Sequence, residues 1–115
     1  MNVDVIHTWN YRGCTCRIKH LSYHAHQIDR LRGLFIQTDW YCGYVAMPFD
    51  VNADAVSVYG GVTYKEVGNN PHFMIYGFDC NHCGSVNHAY TRDMKWLIKE
   101  VEQMTDQLLA LAGAE

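Results

Sequence analysis

Met94-Lys95-Trp96-Leu97-Ile98-Lys99-Glu100-Val101-Glu102-Gln103-Met104-Thr105-Asp106-Gln107-Leu108-Leu109-Ala110-Leu111 is the stretch that decides the fold class. Met94, Leu97, Ile98, Val101, Met104, Thr105, Leu108, Leu111 and Ala112 recur at spacings of three and four, which gathers them on one face of an α-helix of about five turns. Thr91 stands where an N-cap is expected and Gly113 where a left-handed C′ residue ends a helix. Such a face is covered either by a sheet of the same chain or by a second copy. The pattern is shorter than the roughly three to four heptads of a coiled coil. A homo-oligomer, a dimer by default, is expected, with the helix helping to shield Val101, Leu108 and Leu111.

Upstream of the helix the periodicity changes to that of strands. Residues 3–9 are β-branched and aromatic, Asn10-Tyr11-Arg12-Gly13 supplies turn chemistry, and residues 14–20 complete a hairpin. Leu21, Ala25, Ile28, Leu31 and Phe35 have helical spacing, with Ser22 as cap and Gly33 as stop, so a short helix is expected there. Residues 40–47 read as a strand until Pro48 removes a donor, and 49–54 as a loop. Residues 55–59 and 62–67 read as strands joined by a tight turn at Gly60-Gly61, where two glycines accept positive φ. Residues 73–78, after the breaker Gly68-Asn69-Asn70-Pro71, have the composition of a buried strand. The fold class is α+β: one domain over residues 1–115, mainly antiparallel sheet with a long C-terminal amphipathic helix.

The composition narrows the function. A chain of 115 residues, 49% hydrophobic and 18% charged, hides roughly 65% of its extended surface on folding and builds one core without staples. Twelve acidic residues against nine basic give a net charge of −3, and the basic ones are scattered, so no nucleic-acid partner is expected. No apolar run approaches the ~18 residues of a membrane span and no signal-like start is present, so a soluble, cytosolic protein is expected. Five cysteines are an odd number, too sparse for a disulfide scaffold, and are expected to be reduced. Eight Tyr, three Trp, four Phe and seven His on a weakly charged chain suit recognition of flat, polar small molecules.

The chemistry-bearing residues gather around Gly77-Phe78-Asp79-Cys80-Asn81-His82-Cys83-Gly84-Ser85. Cys80 and Cys83 have the spacing of a zinc half-site that Cys14 and Cys16 would complete. The first pair is not C-x-x-C, however, and the H-x-E element of a zinc deaminase is missing, so no metal is expected. His24, His26 and His88 are read as ordinary surface or hydrogen-bonded histidines. Cys80 beside His82 has the ingredients of a thiolate nucleophile. There is no nucleophile elbow, phosphate-binding loop or carboxylate pair, so neither catalytic residues nor a cofactor are assigned.

Cys42-Gly43-Tyr44-Val45-Ala46-Met47-Pro48, Val58-Tyr59-Gly60-Gly61-Val62-Thr63-Tyr64 and Gly77-Phe78-Asp79-Cys80-Asn81-His82 together resemble a family of small bacteriophage proteins. The family's motifs read roughly GYVxVP, HGGLTY and GFDCxHxGD, followed by a helix, and the likeness runs from Trp40 onward. Tyr59 stands where the family has His, and Ser85 where it has Asp. Cys83 falls at a variable family position. Gly60, Gly61, Thr63, Tyr64, Gly77, Phe78, Asp79, Cys80 and His82 are retained, a set better suited to shaping a pocket than to running a reaction.

The resemblance implies a phage origin and the cytoplasm of an infected bacterium. The expected function is anti-defence: a sponge that sequesters a nucleotide-derived immune signal, of the cyclic ADP-ribose or cyclic dinucleotide type, without cleaving it. Trp40, Tyr44, Tyr59, Tyr64 and Phe78 are the candidates for stacking. Gly60 and Gly61 would bring backbone N–H groups to a phosphate, and Thr63, Asp79 and His82 would add polar contacts. The alternatives are a small hydrolase acting through Asp79, Cys80 and His82, and a direct protein inhibitor of a host defence factor.

Overall fold

The computed structural model describes residues 2–22, 28–29, 34–35, 39–70, 72–81 and 89–114. In chain order the strands are β1 (Asn2–Tyr11), β2 (Cys14–Ser22), β3 (Ile28–Asp29), β4 (Leu34–Phe35), β5 (Asp39–Met47), β6 (Tyr64–Val67) and β7 (Met74–Asp79), followed by the helix α1 (Met94–Leu111). Five of the strands form one antiparallel sheet in the order β1-β2-β5-β7-β6. With the helix across one face, the fold class is the expected α+β.

The first hairpin turns on Arg12 and Gly13, both at positive φ (50° and 81°), the backbone that a two-residue turn between twisted strands demands. Asn10 Oδ1 accepts from the Gly13 amide at 3.2 Å and holds that turn. The expected strands at 3–9, 14–20, 40–47 and 73–78 correspond to β1, β2, β5 and β7, and that at 62–67 contains β6.

Two expectations are corrected. The helix anticipated over 21–35 is not formed: Leu21 continues β2, and Ile28 and Asp29 pair antiparallel with Phe35 and Leu34. Apolar residues three and four apart also occur in short strands, and here sheet pairing overrode the spacing. Ala25, Leu31 and Gly33 lie outside the described residues. Residues 55–59 are likewise not a strand. A 3₁₀ turn, Ala53–Ala55, is capped by Asn52, and the chain then runs along α1. The Ser57 amide donates to Gln107 Oε1 (2.7 Å), Gln107 Nε2 donates to the Ser57 carbonyl (2.9 Å), and the Tyr59 amide donates to Glu100 Oε2 (3.1 Å). Helix side chains satisfy the backbone groups that a ladder would have used. Gly60 and Gly61 do adopt positive φ (71° and 79°), but in the loop leading to β6.

Asp93, not Thr91, caps α1: its Oδ1 accepts from the Lys95 amide at 2.9 Å, while Thr91 is buried in the preceding 3₁₀ turn. At the other end Gly113 (φ 71°) donates to Ala110 O and Ala114 donates to Leu109 O, the paired bonds of a Schellman motif. Leu97, Val101, Met104 and Leu108 pack in one core with Ile18, Val45, Met47, Tyr76 and Phe78 of the sheet. Val101 and Leu108 are thus covered by their own chain, whereas Leu111 is half exposed. Gly43 allows the close approach: a Cβ there would lie 2.5 Å from Val101 Cγ2 and 2.6 Å from the Phe78 ring. Polar clasps extend the contact to the β1–β2 hairpin, with Trp9 Nε1 donating to Glu102 (3.2 Å) and Tyr11 and Arg12 both donating to Asp106. No helix among the described residues is long and apolar enough to cross a membrane.

Candidate functional site: a groove on the open face of the sheet

Alternation along a strand sends every second side chain to the face away from α1. The register places Arg17, Tyr44, Gly77 and Tyr64 in a single row across β2, β5, β7 and β6. Thr15, Ala46 and Ile75 form the next row toward the β6–β7 turn, and Lys19 lies in the next row the other way, beside Cys42 and Asp79. Together with Val3 and Leu21 at one end and residues 68–70 and Phe73 at the other, these rows enclose a groove of about 510 Å³. That volume lies within the usual range of small-molecule sites, roughly 300–1,000 Å³.

One residue from each of the three sequence motifs builds the groove floor. A Cβ on Gly77 would come within 2.6 Å of Tyr44 Cδ1, so the glycine lets the Tyr44 ring lie across the neighbouring strand. Tyr64 meets Tyr44 edge-on, with ring centroids 5.4 Å apart. The Lys19 ammonium sits 4.7 Å from the Tyr44 centroid, so Tyr44 serves as a seat for a cation. Free ring surface comes instead from Tyr64 (39% exposed) and Phe73 (36% exposed). Burial, with the Cys42 thiol nearby, pushes the Tyr44 hydroxyl well above its ordinary pKa, so it stays protonated. The Tyr64 hydroxyl donates to Glu66. The loop at the groove's end is closed by Gly68 N to Phe73 O (2.9 Å) and Phe73 N to Asn70 O (3.0 Å). The Asn69 carboxamide makes no hydrogen bond among the described residues.

Electrostatics distinguish this face. Arg12, Lys65 and Arg92 each face a carboxylate, of Asp106, Asp50 and Asp39 respectively. Arg17 and Lys19, two residues apart on one side of β2, have no ion-pair partner among the described residues. On a chain of net charge −3 they make a local anion-attracting spot between exposed rings.

Of the residues expected in a site, the groove brings together Tyr44 and Tyr64. Thr63 and Asp79 stand at its margin: Thr63 Oγ1 donates to Asp79 Oδ2 (3.2 Å), and the Asn81 amide donates to Asp79 Oδ1 (3.0 Å). Trp40 shares the face but is only 7% exposed. Tyr59 belongs to the other layer, packed edge-on against Tyr90 and Trp96 at 6.1 and 5.6 Å, and Gly60 and Gly61 follow it there. Phe78 is 1% exposed beneath α1, so it is a core residue with no face left for stacking. His82 lies outside the described residues. Arg17, Lys19, Asn69 and Phe73 were missed. The alternation Thr15, Arg17, Lys19 against Cys14, Cys16, Ile18 carried the signal for the two cations.

The cysteines are poor nucleophiles as placed. Burial pushes the thiols of Cys16 and Cys42 up to about 11 and that of Cys80 up to about 12, and Cys80 is 2% exposed. Among the described residues no three His, Cys, Asp or Glu side chains gather to hold a metal. Cys83, His24, His26 and His88 lie outside those residues.

Comparison of the chain with protein-family models, with curated proteins and with solved structures finds no match.

Proposed function

We propose that the protein captures a small nucleotide-type ligand in the groove and holds it chemically unchanged. The observation that carries this is the meeting of exposed rings, Tyr64 and Phe73, with two cations, Arg17 and Lys19, that form no ion pair among the described residues. Rings accept a base at about 1–3 kcal/mol each, and charge-assisted hydrogen bonds to phosphate add about 1.5–3 kcal/mol apiece. Micromolar capture needs about −8 kcal/mol, which one stacked base and two phosphate contacts approach before apolar burial is counted. Neither Cys42, which shares the groove face, nor Cys80, on the helix side, is an activated nucleophile among the described residues, because both are buried and burial raises both thiols above the ordinary range. With the phage origin that the motifs imply, such capture acts as a sponge, removing a cyclic ADP-ribose-type or cyclic dinucleotide signal from a host defence system.

Calorimetric titration with ADP-ribose and cyclic di-AMP, followed by heating and chromatography of the released ligand, tests this. Micromolar binding, loss of it in Arg17→Glu/Lys19→Glu, and recovery of intact ligand are expected. A cleaved product moves the assignment to a hydrolase, and failure of every nucleotide to bind overturns the proposal.

A further inference from the structure

Resting on that assignment, we infer that the groove is built for a dinucleotide, two nucleoside units joined through phosphate, rather than for a mononucleotide. The groove runs obliquely across the sheet, from the Val3–Leu21 pair of β1 and β2 to Tyr64 of β6 and Phe73 of the β6–β7 loop, and along β2 alone it spans six residues from Thr15 to Leu21, about 20 Å at the usual strand rise. Its two ends differ from its middle. At the β6–β7 end Tyr64 and Phe73 present ring surface, and Asn69 a carboxamide with no hydrogen bond among the described residues, the donor and acceptor needed to read a base edge. At the β1–β2 end Val3, 52% exposed, and Leu21 present aliphatic surface against which a second flat group can lie. Arg17 and Lys19 stand between the ends, on adjacent rows of one strand face.

A mononucleotide with its base on Tyr64 and Phe73 carries phosphate charge enough for both cations but leaves the Val3–Leu21 end wet. A ligand with two bases flanking two phosphate charges matches the ring end, both cations and the aliphatic end at once. Tyr44, seating Lys19 from below, keeps the second ammonium within the groove.

Parallel titrations with AMP, ADP-ribose and cyclic di-AMP test the inference. Cyclic di-AMP is expected to bind at least tenfold tighter than AMP, with ADP-ribose, which brings two phosphates but one base, in between. In Val3→Asp and Leu21→Asp the ratio of AMP to cyclic di-AMP dissociation constants should collapse toward unity. Val3→Asp, at an exposed strand position, covers the case in which Leu21→Asp fails to fold. AMP binding as tightly as cyclic di-AMP, or a ratio that survives Val3→Asp, overturns the dinucleotide inference while leaving nucleotide capture standing. Absence of binding by all three compounds overturns both.

Discussion

The two faces of the sheet share strands, and on each a glycine sits opposite an aromatic ring, yet they end in opposite chemistry. On the covered face Gly43 opposes Phe78, and the space it leaves is filled by Val101 of the helix. On the open face Gly77 opposes Tyr44, and the space is filled by the Tyr44 ring itself, with Lys19 above it. The same device, a missing Cβ next to a ring, seats a helix on one side and a cation on the other. What differs is the second neighbour: an apolar helix stripe in one case, and the polar members of an alternating strand in the other.

The largest expected effect falls on the covered face. Leu97→Ala removes a fully buried side chain and should destabilise the protein by about 2–5 kcal/mol in urea unfolding, whereas Ile75→Ala on the open face should stay below that range. Equal losses would mean that the two faces are packed alike. Next come the glycines, each expected to lose about 1–3 kcal/mol on conversion to alanine through overcrowding. Gly43→Ala should be the worse, because Val101 and Phe78 are both held in the core, while the Tyr44 ring displaced by Gly77→Ala has the groove to move into. A larger loss for Gly77→Ala would contradict the openness of that face.

A smaller effect concerns the clasp between the layers. Arg92, just before α1, makes a bidentate pair with Asp39 at the start of β5, and His20 adds a 2.9 Å hydrogen bond. The bonds from Arg92 and then His20 lower the Asp39 carboxyl from 3.8 to about 2. A carboxyl lowered on folding adds stability that is fully present above its unfolded value and is lost as pH falls through the folded one. Because the pair is partly exposed, Asp39→Asn should cost about 1 kcal/mol or less at neutral pH, with the difference from wild type vanishing as the pH falls from about 4 to about 2. A pH-independent difference would remove the charge from the explanation. The smallest stability effect belongs to Arg17→Glu, within ~0.5 kcal/mol of wild type by thermal unfolding, with Lys19→Glu costing up to about 1 kcal/mol through its lost contact with the Tyr44 ring. A large loss would mark them as structural.

The helix and the strands β1, β2, β5 and β7 were legible because their periods are long and clean. Met94 to Leu108 repeats at helical spacing, and β2 alternates without a break from Cys14 to Ile18. Residues 55–59 misled because β-branched composition says nothing about where backbone hydrogen bonds go, and Gln107 and Glu100, some forty to fifty residues away, took them. Of the site, Tyr44 and Tyr64 were legible as aromatic residues beside glycines. Phe78 was read as equivalent, but alternation along β7 turns it to the face opposite Gly77. Sorting each motif by strand parity, instead of by residue type, separates groove from core.

The irregularity in β1 has a consequence for assembly. β1 is a ten-residue edge strand carrying exposed Val3, Val5 and Ile6 and a single formal charge, Asp4, whereas the opposite edge, β6, is four residues long and bears Lys65 and Glu66. Between Val5 and His7 the register with β2 slips by one residue, so Ile6 has no partner and the outer row of amides and carbonyls is broken midway. An incoming strand therefore finds half a template on either side of the slip, too short to zip along the whole edge. Deleting Ile6 would keep Val3 and Val5 on the face they now occupy and restore one uninterrupted row of donors and acceptors. A single extra residue thus stands between an interrupted edge and a continuous one along which a second copy of the chain could pair.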